Sequence, residues 1–297
     1  MNDNLNIIEK KLFCIGKKYF EENIKNKWQI KCLKDNQNKA LLFFFFHSFM
    51  RGRKDELSIA YFSSISLNID DIIKEFSNIK IKNLKEIIED IKACPSKNII
   101  EDNGFNEIKQ KNNLVKLLVD CGGNKMKNSQ IKCLNNKTDI LLVLDTIRII
   151  KENEIINLYQ YIIEKIKNEN LEKSFYFLKS IYGVGDKIAS YILRDILLLE
   201  DIQLTNKADI KYVFPIDTWI KQVIGLITFP TEINNLEKLK NKNIYKILKQ
   251  KFNLTKLPFV SLGLWYIGYN SLHFAISFLQ SNDFFSIEKS KSYKNPQ

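Results

Sequence analysis

Two glycines followed by a lysine form the stretch of this sequence whose residue types could bind a polyanion. Residues 181–189 read Ile-Tyr-Gly-Val-Gly-Asp-Lys-Ile-Ala, and apolar residues recur at helical spacing on both sides of Gly183 and Gly185. The pattern predicts two helices joined by a tight glycine turn. Unpaired N–H groups and the helix dipole at the start of the second helix favour phosphate, so such a turn can bind a nucleic-acid backbone without reading its sequence. An ordinary glycine turn between two packed helices is the alternative.

An acidic residue follows further along the chain, at a place where a helix should begin. Residues 214–219 read Phe-Pro-Ile-Asp-Thr-Trp, and an apolar run at helical spacing comes directly after Asp217. The pattern predicts that Asp217 is a helix N-cap.

These two segments, in this order, resemble the signature of the helix-hairpin-helix/Gly-Pro-Asp DNA glycosylases. In that superfamily a Leu/Ile-x-Gly-Val-Gly-x-Lys-x-Ala hairpin precedes a Val-Pro-x-Asp segment, and the likeness covers about forty residues here. Lys187 and Asp217 are thirty positions apart, and this long connection resembles the 8-oxoguanine glycosylases more than the endonuclease III-like members. Since no cysteine follows Cys133, the iron–sulfur ligands of some members are absent.

The resemblance implies a role for each matching residue. Gly183, Val184 and Gly185 would bind the DNA backbone, Lys187 would attack the sugar C1′ and form a Schiff base, and Asp217 would deprotonate the lysine or stabilise an oxocarbenium-like sugar. The residue types suit this chemistry, because a neutral amine is a good nucleophile and a carboxylate stabilises developing positive charge. A lysine that contacts a phosphate and an aspartate that only caps a helix are the structural alternatives.

The resemblance also implies an all-α fold of two helical lobes, whose intervening cleft accepts an extruded nucleotide. We expect residues 1–285 to form one glycosylase-like domain, with the hairpin and catalytic segment at 171–228, and residues 286–297 to be a disordered tail. Trp219, and either Trp265 or Tyr266 in a later helix, are candidates for stacking on a flipped base. Arg51 and Arg53 occupy a chain position comparable to that of the residues that fill the gap left by the base.

The remaining chain gives mostly helical patterns. We expect a buried helix in the phenylalanine run at residues 41–46 and helices at residues 69–76, 84–91, 138–150 and 155–166, with a basic helix at residues 236–252. Residues 115–119 fit either a short helix or a strand. Residues 95–137, punctuated by glycines and rich in Asn and Lys, are the least readable part.

Charge and cysteine content agree with an intracellular protein that binds nucleic acid. The net charge of +12 supplies salt-dependent affinity for a polyanion, although a Lys- and Asn-rich composition also arises from AT-rich genomes. The five cysteines are scattered, which argues against disulfides and zinc, and no apolar run is long enough to cross a membrane. The first residues lack a signal pattern, so we expect a cytoplasmic protein that does not bind membranes.

The sequence therefore predicts a base-excision glycosylase with lyase activity that acts, as a monomer without metal or organic cofactor, on double-stranded DNA. An oxidised purine such as 8-oxoguanine is the first expected substrate, and an oxidised pyrimidine is the second. Three alternatives stay open: a monofunctional glycosylase that needs only Asp217, a non-catalytic DNA-binding hairpin protein, and a protein that handles RNA.

Overall fold

The regular secondary structure in the described part of the protein, taken from a computed structural model, is helical. The structure describes residues 2–49, 55–95, 103–123, 137–228 and 240–280, and no β-strand occurs in these ranges. The expected all-α fold class is thus confirmed for this part of the chain. None of the helices in these ranges combines the length and the hydropathy of a membrane-spanning segment.

Sixteen α-helices are present in the described ranges. In chain order they are α1 (Asn2–Tyr19), α2 (Ile30–Asp35), α3 (Gln37–Phe49), α4 (Asp55–Leu67), α5 (Ile69–Asn78), α6 (Ile81–Ala93), α7 (Asn103–Lys111), α8 (Asn113–Gly123), α9 (Lys137–Glu152), α10 (Leu158–Asn168), α11 (Leu171–Lys179), α12 (Asp186–Leu199), α13 (Ile210–Val213), α14 (Thr218–Thr228), α15 (Asn241–Lys251) and α16 (Leu257–Gln280). A π-helical segment, Phe20–Lys25, follows α1, and single 3₁₀ turns precede α13 and α16.

The chain divides into two compact units. Unit 1 is assembled from residues 1–27 and 194–297, whereas unit 2 is the continuous stretch 28–193. The hairpin glycines and Lys187 therefore belong to unit 2, and Asp217, Trp219 and Trp265 belong to unit 1.

The phenylalanine helix α3 forms the aromatic part of the unit 2 core. Residues 40–46 are apolar without interruption and so on all sides of the helix, and Phe43, Phe44 and Phe45 are at most 2% exposed. Phe43 meets the ring of Tyr159 from α10 edge-on at 5.5 Å, and Phe49 meets Tyr61 from α4 at 4.8 Å. A helix without a polar face can be stable only when it is covered by neighbours, and α2, α4 and α10 supply that cover.

The second buried helix of unit 2 is α9, which positions the hairpin turn. Residues Ile140 to Leu144 are at most 2% exposed, and α6 and α8 pack against this helix. Its buried polar residues, Asp139 and Asp145, stand out because carboxylates are rarely buried without partners.

Unit 1 is built around α16, against which α1 and α14 pack. The backbones of α1 and α16 approach so closely that a Cβ at Gly16 would lie 1.8 Å from the Phe259 carbonyl oxygen, and one at Gly263 would lie 2.1 Å from that of Leu12. Only glycine fits at these two crossing points. Buried Glu9 on α1 adds an ion pair with Lys256 and accepts a hydrogen bond from the N–H of Asn253.

Most helices lie where the apolar spacing predicts them. The predicted segments 69–76, 84–91, 138–150 and 155–166 correspond to α5, α6, α9 and α10, and residues 115–119 lie in a helix, α8. Of the basic helix predicted at residues 236–252, the described part is α15, and residues 229–239 lie outside the described ranges. The expected tail at residues 286–297 lies outside them as well.

Candidate functional site

The glycine turn joins α11 to α12, as the sequence pattern predicts. Ile181 and Val184 are 1% and 5% exposed and fix the turn to the core, while Gly183 and Gly185, on either side of Val184, are exposed. The N–H of Val184 donates to the Ile181 carbonyl oxygen at 3.0 Å, and Gly183 has a φ of 80°, a conformation that favours glycine. The turn is therefore a tight, well-anchored loop whose two glycines face solvent.

Gly185 differs from the other glycines because the protein itself does not require it. A Cβ placed there meets no atom within 4 Å. The first helical bond of α12 runs from the Ala189 N–H to the Gly185 carbonyl oxygen at 3.0 Å, so the preceding N–H groups have no helical partner. Within the described residues, the N–H groups of Gly183 and Gly185 have no hydrogen-bond acceptor. This arrangement can accept an anion, and Gly185 leaves room for that anion to approach.

A buried carboxylate on α9 holds the turn in place. Asp145, 5% exposed, accepts the N–H of Tyr182 through Oδ2 at 2.7 Å and the Arg148 Nε–H through Oδ1 at 2.7 Å. Although burial lowers the pKa of Arg148, its hydrogen bond and charge interaction with Asp145, reinforced by Glu152, outweigh the burial and leave that pKa above its ordinary value. Both carboxylate oxygens of Asp145 thus accept a hydrogen bond, one from the backbone of the turn and one from a guanidinium group.

Sequence reasoning missed Asp145, and the available signal was weak. Asp145 lies in a run that otherwise reads as a buried apolar helix, Ile-Leu-Leu-Val-Leu-Asp-Thr-Ile. A carboxylate in the middle of such a run indicates a specific partner, because an unpaired buried charge is strongly unfavourable. The partner is a backbone N–H 37 residues away, which no local pattern indicates.

Lys187 lies in the first turn of α12, directly beside the anion-accepting backbone. It is half-buried, and no hydrogen bond or ion pair engages its side chain within the described part of the chain. The geometry of the hairpin therefore brings together Gly183, Val184, Gly185 and Lys187, all within unit 2.

Asp217 is the N-cap of α14, as the sequence predicts. Its Oδ1 accepts the Ile220 N–H at 2.9 Å, and its own carbonyl oxygen accepts the Lys221 N–H at 3.0 Å. Phe214, three residues before Asp217, is 1% exposed, so a buried side chain fixes the segment that leads into the helix. The carboxylate is half-buried at the surface of unit 1.

An aromatic group lies next to Asp217 in unit 1. It comprises Trp219 from α14, Trp265, Tyr266 and Tyr269 from α16, and Tyr19 from α1. Trp265 and Tyr269 stack at 5.2 Å with an interplanar angle of 11°, and Trp219 meets Tyr269 edge-on at 6.4 Å. Trp219, Tyr266 and Tyr269 are 37%, 40% and 46% exposed, so the group presents aromatic surface to solvent.

A glycine on α16 makes the approach of Trp219 possible. A Cβ at Gly268 would lie 2.8 Å from the Trp219 Cβ, so only glycine lets the first turn of α14 lie against α16 at this point. The expected stacking candidates, Trp219 and Trp265 or Tyr266, consequently share one aromatic group, to which the structure adds Tyr19 and Tyr269. Arg51 and Arg53, the expected DNA contacts of the early helix pair, lie outside the described residues.

Basic side chains also cover the outer side of α15. Lys242 and Lys246 are exposed there, opposite the buried Ile244 and Leu248, and Lys251 is exposed at the last residue of the helix. Among the described residues, no group of three or more His, Cys, Asp or Glu side chains has the arrangement of a metal site.

Comparison with known proteins gives one relative. The chain is 33% identical over 122 residues to an uncharacterised protein of Methanocaldococcus jannaschii, a match that covers 41% of this chain and 26% of the relative. The aligned part thus spans about a quarter of the relative's length. No protein-family model and no solved structure matches the chain.

Proposed function

We propose that the protein is a DNA glycosylase with an associated lyase activity, of the helix-hairpin-helix type and with the two-lobed fold of that superfamily. The observation that carries the proposal is the hairpin turn. Among the described residues, the N–H groups of Gly183 and Gly185 have no acceptor there, and Lys187 follows in the next helical turn. A backbone anion site and an amine are thereby combined within five residues. The Pro-x-Asp segment with the capped Asp217 is the second support.

In the proposed reaction the Nζ of Lys187 forms a bond to C1′ of the damaged nucleotide while the bond from C1′ to the base breaks. Asp217 accepts the proton that the lysine ammonium loses and returns it to the base as the base leaves. A second proton moves from the lysine nitrogen to the ring oxygen when the sugar ring opens. Opening of the sugar ring gives a Schiff base, from which β-elimination expels the 3′ phosphate. Alternatively, Asp217 keeps its negative charge and stabilises the positive charge that develops on the sugar.

The exposed aromatic group of unit 1 supports a base as the recognised group. Nucleobases extruded from a duplex are held by stacking on aromatic side chains, and each stacked base contributes about 1–3 kcal/mol. An oxidised purine such as 8-oxoguanine in double-stranded DNA remains our first proposed substrate, and an oxidised pyrimidine the second. The protein acts without a metal or organic cofactor in this proposal.

Borohydride trapping tests the proposal directly. The protein is incubated with duplexes that contain 8-oxoguanine, thymine glycol or an abasic site, and sodium borohydride reduces any Schiff base to a stable adduct. We expect an adduct with the wild type and with the control Lys173→Gln, whose lysine is exposed on α11 of the same hairpin, and none with Lys187→Gln. An adduct that survives in Lys187→Gln contradicts the assignment of the nucleophile.

A non-catalytic DNA-binding hairpin protein is the second candidate. The specific observation in its favour is the hydrogen bond from Ile220 to Asp217, which gives the carboxylate a structural role without any chemistry. This candidate binds DNA in a salt-dependent manner but leaves all three duplexes intact. If base release occurs without trapping and depends on Asp217, the protein is a monofunctional glycosylase.

A further inference from the structure

An ion pair spans the hairpin turn. Lys179 is the last residue of α11, Asp186 is the first residue of α12, and the Lys179 Nζ lies 2.6 Å from the Asp186 Oδ1. The side chains are 34% and 74% exposed, so the pair lies at the surface, directly beside the glycines of the turn.

Asp186 has opposite effects on the helix and on a bound anion. At the first position of α12 its negative charge interacts favourably with the helix dipole. A phosphate at the N–H groups of Gly183 and Gly185 uses the same positive potential, so Asp186 competes with the phosphate and repels it. A carboxylate at this place therefore weakens any phosphate site in the turn.

Lys179 is positioned to offset that repulsion. Besides its contact with Asp186, its ammonium lies 5.5 Å from the ring centre of Phe175 and 5.7 Å from that of Tyr176. These contacts hold the long side chain against α11 with its charge at the turn. Exposed ion pairs contribute little to folding stability, so both charges can be changed without loss of the fold.

We propose that Lys179 and Asp186 set the affinity of the hairpin for a DNA phosphodiester: Lys179 strengthens the phosphate site and Asp186 weakens it. The inference rests on the proposed DNA-binding function of the hairpin. In the free protein Lys179 neutralises Asp186, and in the complex it faces both Asp186 and the phosphate. Asp186 thereby limits the sequence-independent affinity for intact DNA, which favours release and continued search.

Fluorescence anisotropy over a range of NaCl concentrations tests this inference. The probes are an undamaged duplex and the same duplex with a tetrahydrofuran abasic-site analogue, which the protein cannot cleave. We expect Asp186→Asn to bind both duplexes about threefold tighter or more, and Lys179→Gln to bind about tenfold weaker with a salt slope reduced by about one. The double variant should bind more tightly than Lys179→Gln alone, because Asp186 is not neutralised in that single variant.

Two further variants separate charge from folding. Lys179→Arg keeps the charge and should bind within about twofold of the wild type. Lys173→Gln removes a lysine that is 63% exposed on the same helix but pairs with Glu169, and it should not change the affinity. Circular dichroism melting curves establish that each variant is folded, and if Lys179→Gln is not, Asp186→Asn and Lys179→Arg still decide the question.

The outcomes for the inference and for the proposed function are distinct. If the wild type binds but Asp186→Asn and Lys179→Gln bind as it does, the inference is overturned and DNA binding stands. Weaker binding by Asp186→Asn also overturns the inference. If the wild type binds neither duplex at low salt, the proposed function is overturned, and the inference with it.

Discussion

Asp217 has two roles at the residue scale that a single substitution can separate. Its Oδ1 caps α14, and the proposed chemistry uses its negative charge. Asparagine retains an oxygen that can accept the Ile220 N–H, but it has neither charge nor basicity. Alanine loses both the cap and the charge.

We therefore predict that Asp217→Asn loses base excision while its stability stays close to that of the wild type. Asp217→Ala should lose base excision too and also about 0.5–2 kcal/mol of unfolding free energy, the usual contribution of an N-cap. Urea unfolding followed by circular dichroism, together with a glycosylase assay, measures both quantities. Asp201→Asn, at an exposed turn of the same unit, serves as the control. Activity that persists in Asp217→Asn contradicts a catalytic carboxylate.

Asp145 is the residue on which the conformation of the turn depends. An asparagine there replaces one carboxylate oxygen with an N–H₂ group, which would face either the Tyr182 N–H or the Arg148 Nε–H, both donors. We predict that Asp145→Asn costs about 1–3 kcal/mol of unfolding free energy and also weakens binding to duplex DNA. Asp120→Asn, which removes the charge from a half-buried ion pair with Lys109 in the same unit, is the control. Unchanged DNA affinity in folded Asp145→Asn contradicts the positioning role.

At the scale of secondary-structure elements, individual glycines have different functions. Gly16 and Gly263 are required by the crossing of α1 and α16, whereas Gly185 has open space where a side chain would be. The difference separates a glycine needed for folding from a glycine available to a ligand.

Alanine substitutions should display that difference. We predict that Gly263→Ala destabilises the protein by about 1–3 kcal/mol or more, because the new Cβ overlaps the backbone of α1. Gly185→Ala should leave the unfolding free energy nearly unchanged but weaken binding to duplex DNA, since a methyl group then stands where a phosphate would approach. Thermal melts and anisotropy measure the two effects. Full DNA affinity in Gly185→Ala contradicts a phosphate site at the turn.

The ion pair between Lys85 on α6 and Glu152 on α9 makes stability depend on pH. A hydrogen bond from Lys85 on α6 lowers the pKa of Glu152 on α9 below its ordinary value of 4.5, and the charge of Arg148 acts in the same direction against the effect of burial. Because the pKa is lower in the folded state, this stabilisation is fully present above pH 4.5 and is lost as the pH falls through the folded-state value.

We predict that Glu152→Gln lowers the melting temperature at pH 7 and that the difference from the wild type shrinks below pH 4.5. Differential scanning calorimetry between pH 3 and pH 7 measures this difference in melting temperature. Glu164→Gln on α10, an exposed glutamate without an ion pair within the described residues, should show no such convergence. A difference independent of pH contradicts the role of the Glu152 charge.

The local sequence pattern predicts the helices far better than it predicts the tertiary contacts between them. Apolar spacing is sufficient for α5, α6, α9 and α10, and Asp217 can be recognised as a cap because its partner is three residues away. The contact from Asp145 to Tyr182 and the close crossing at Gly16 and Gly263 depend on tertiary approach. Aromatic residues such as Tyr269 look like core in sequence, and only the fold reveals their exposure.

For the whole molecule, the net charge of +12 is the property that a polyanionic partner meets first. We predict that the affinity for undamaged duplex falls at least about tenfold between 50 mM and 200 mM NaCl, because bound cations are released from the DNA. Anisotropy titrations measure the slope. A variant with Lys242, Lys246 and Lys251 of α15 changed to glutamine should have a smaller slope if that helix faces the duplex. An affinity independent of salt contradicts binding to DNA phosphates.

The discontinuous make-up of unit 1 has a consequence for synthesis on the ribosome. Since α1 packs on α16, its partner emerges only after nearly the whole chain has been made, about 10 to 50 s later at roughly 5–20 residues per second. Unit 2, a continuous stretch, can fold in the meantime. The apolar side of α1, with Leu12, and Phe20 directly after the helix remain uncovered throughout that interval. The nascent protein is therefore most exposed to aggregation, and most dependent on chaperones, at its first 27 residues.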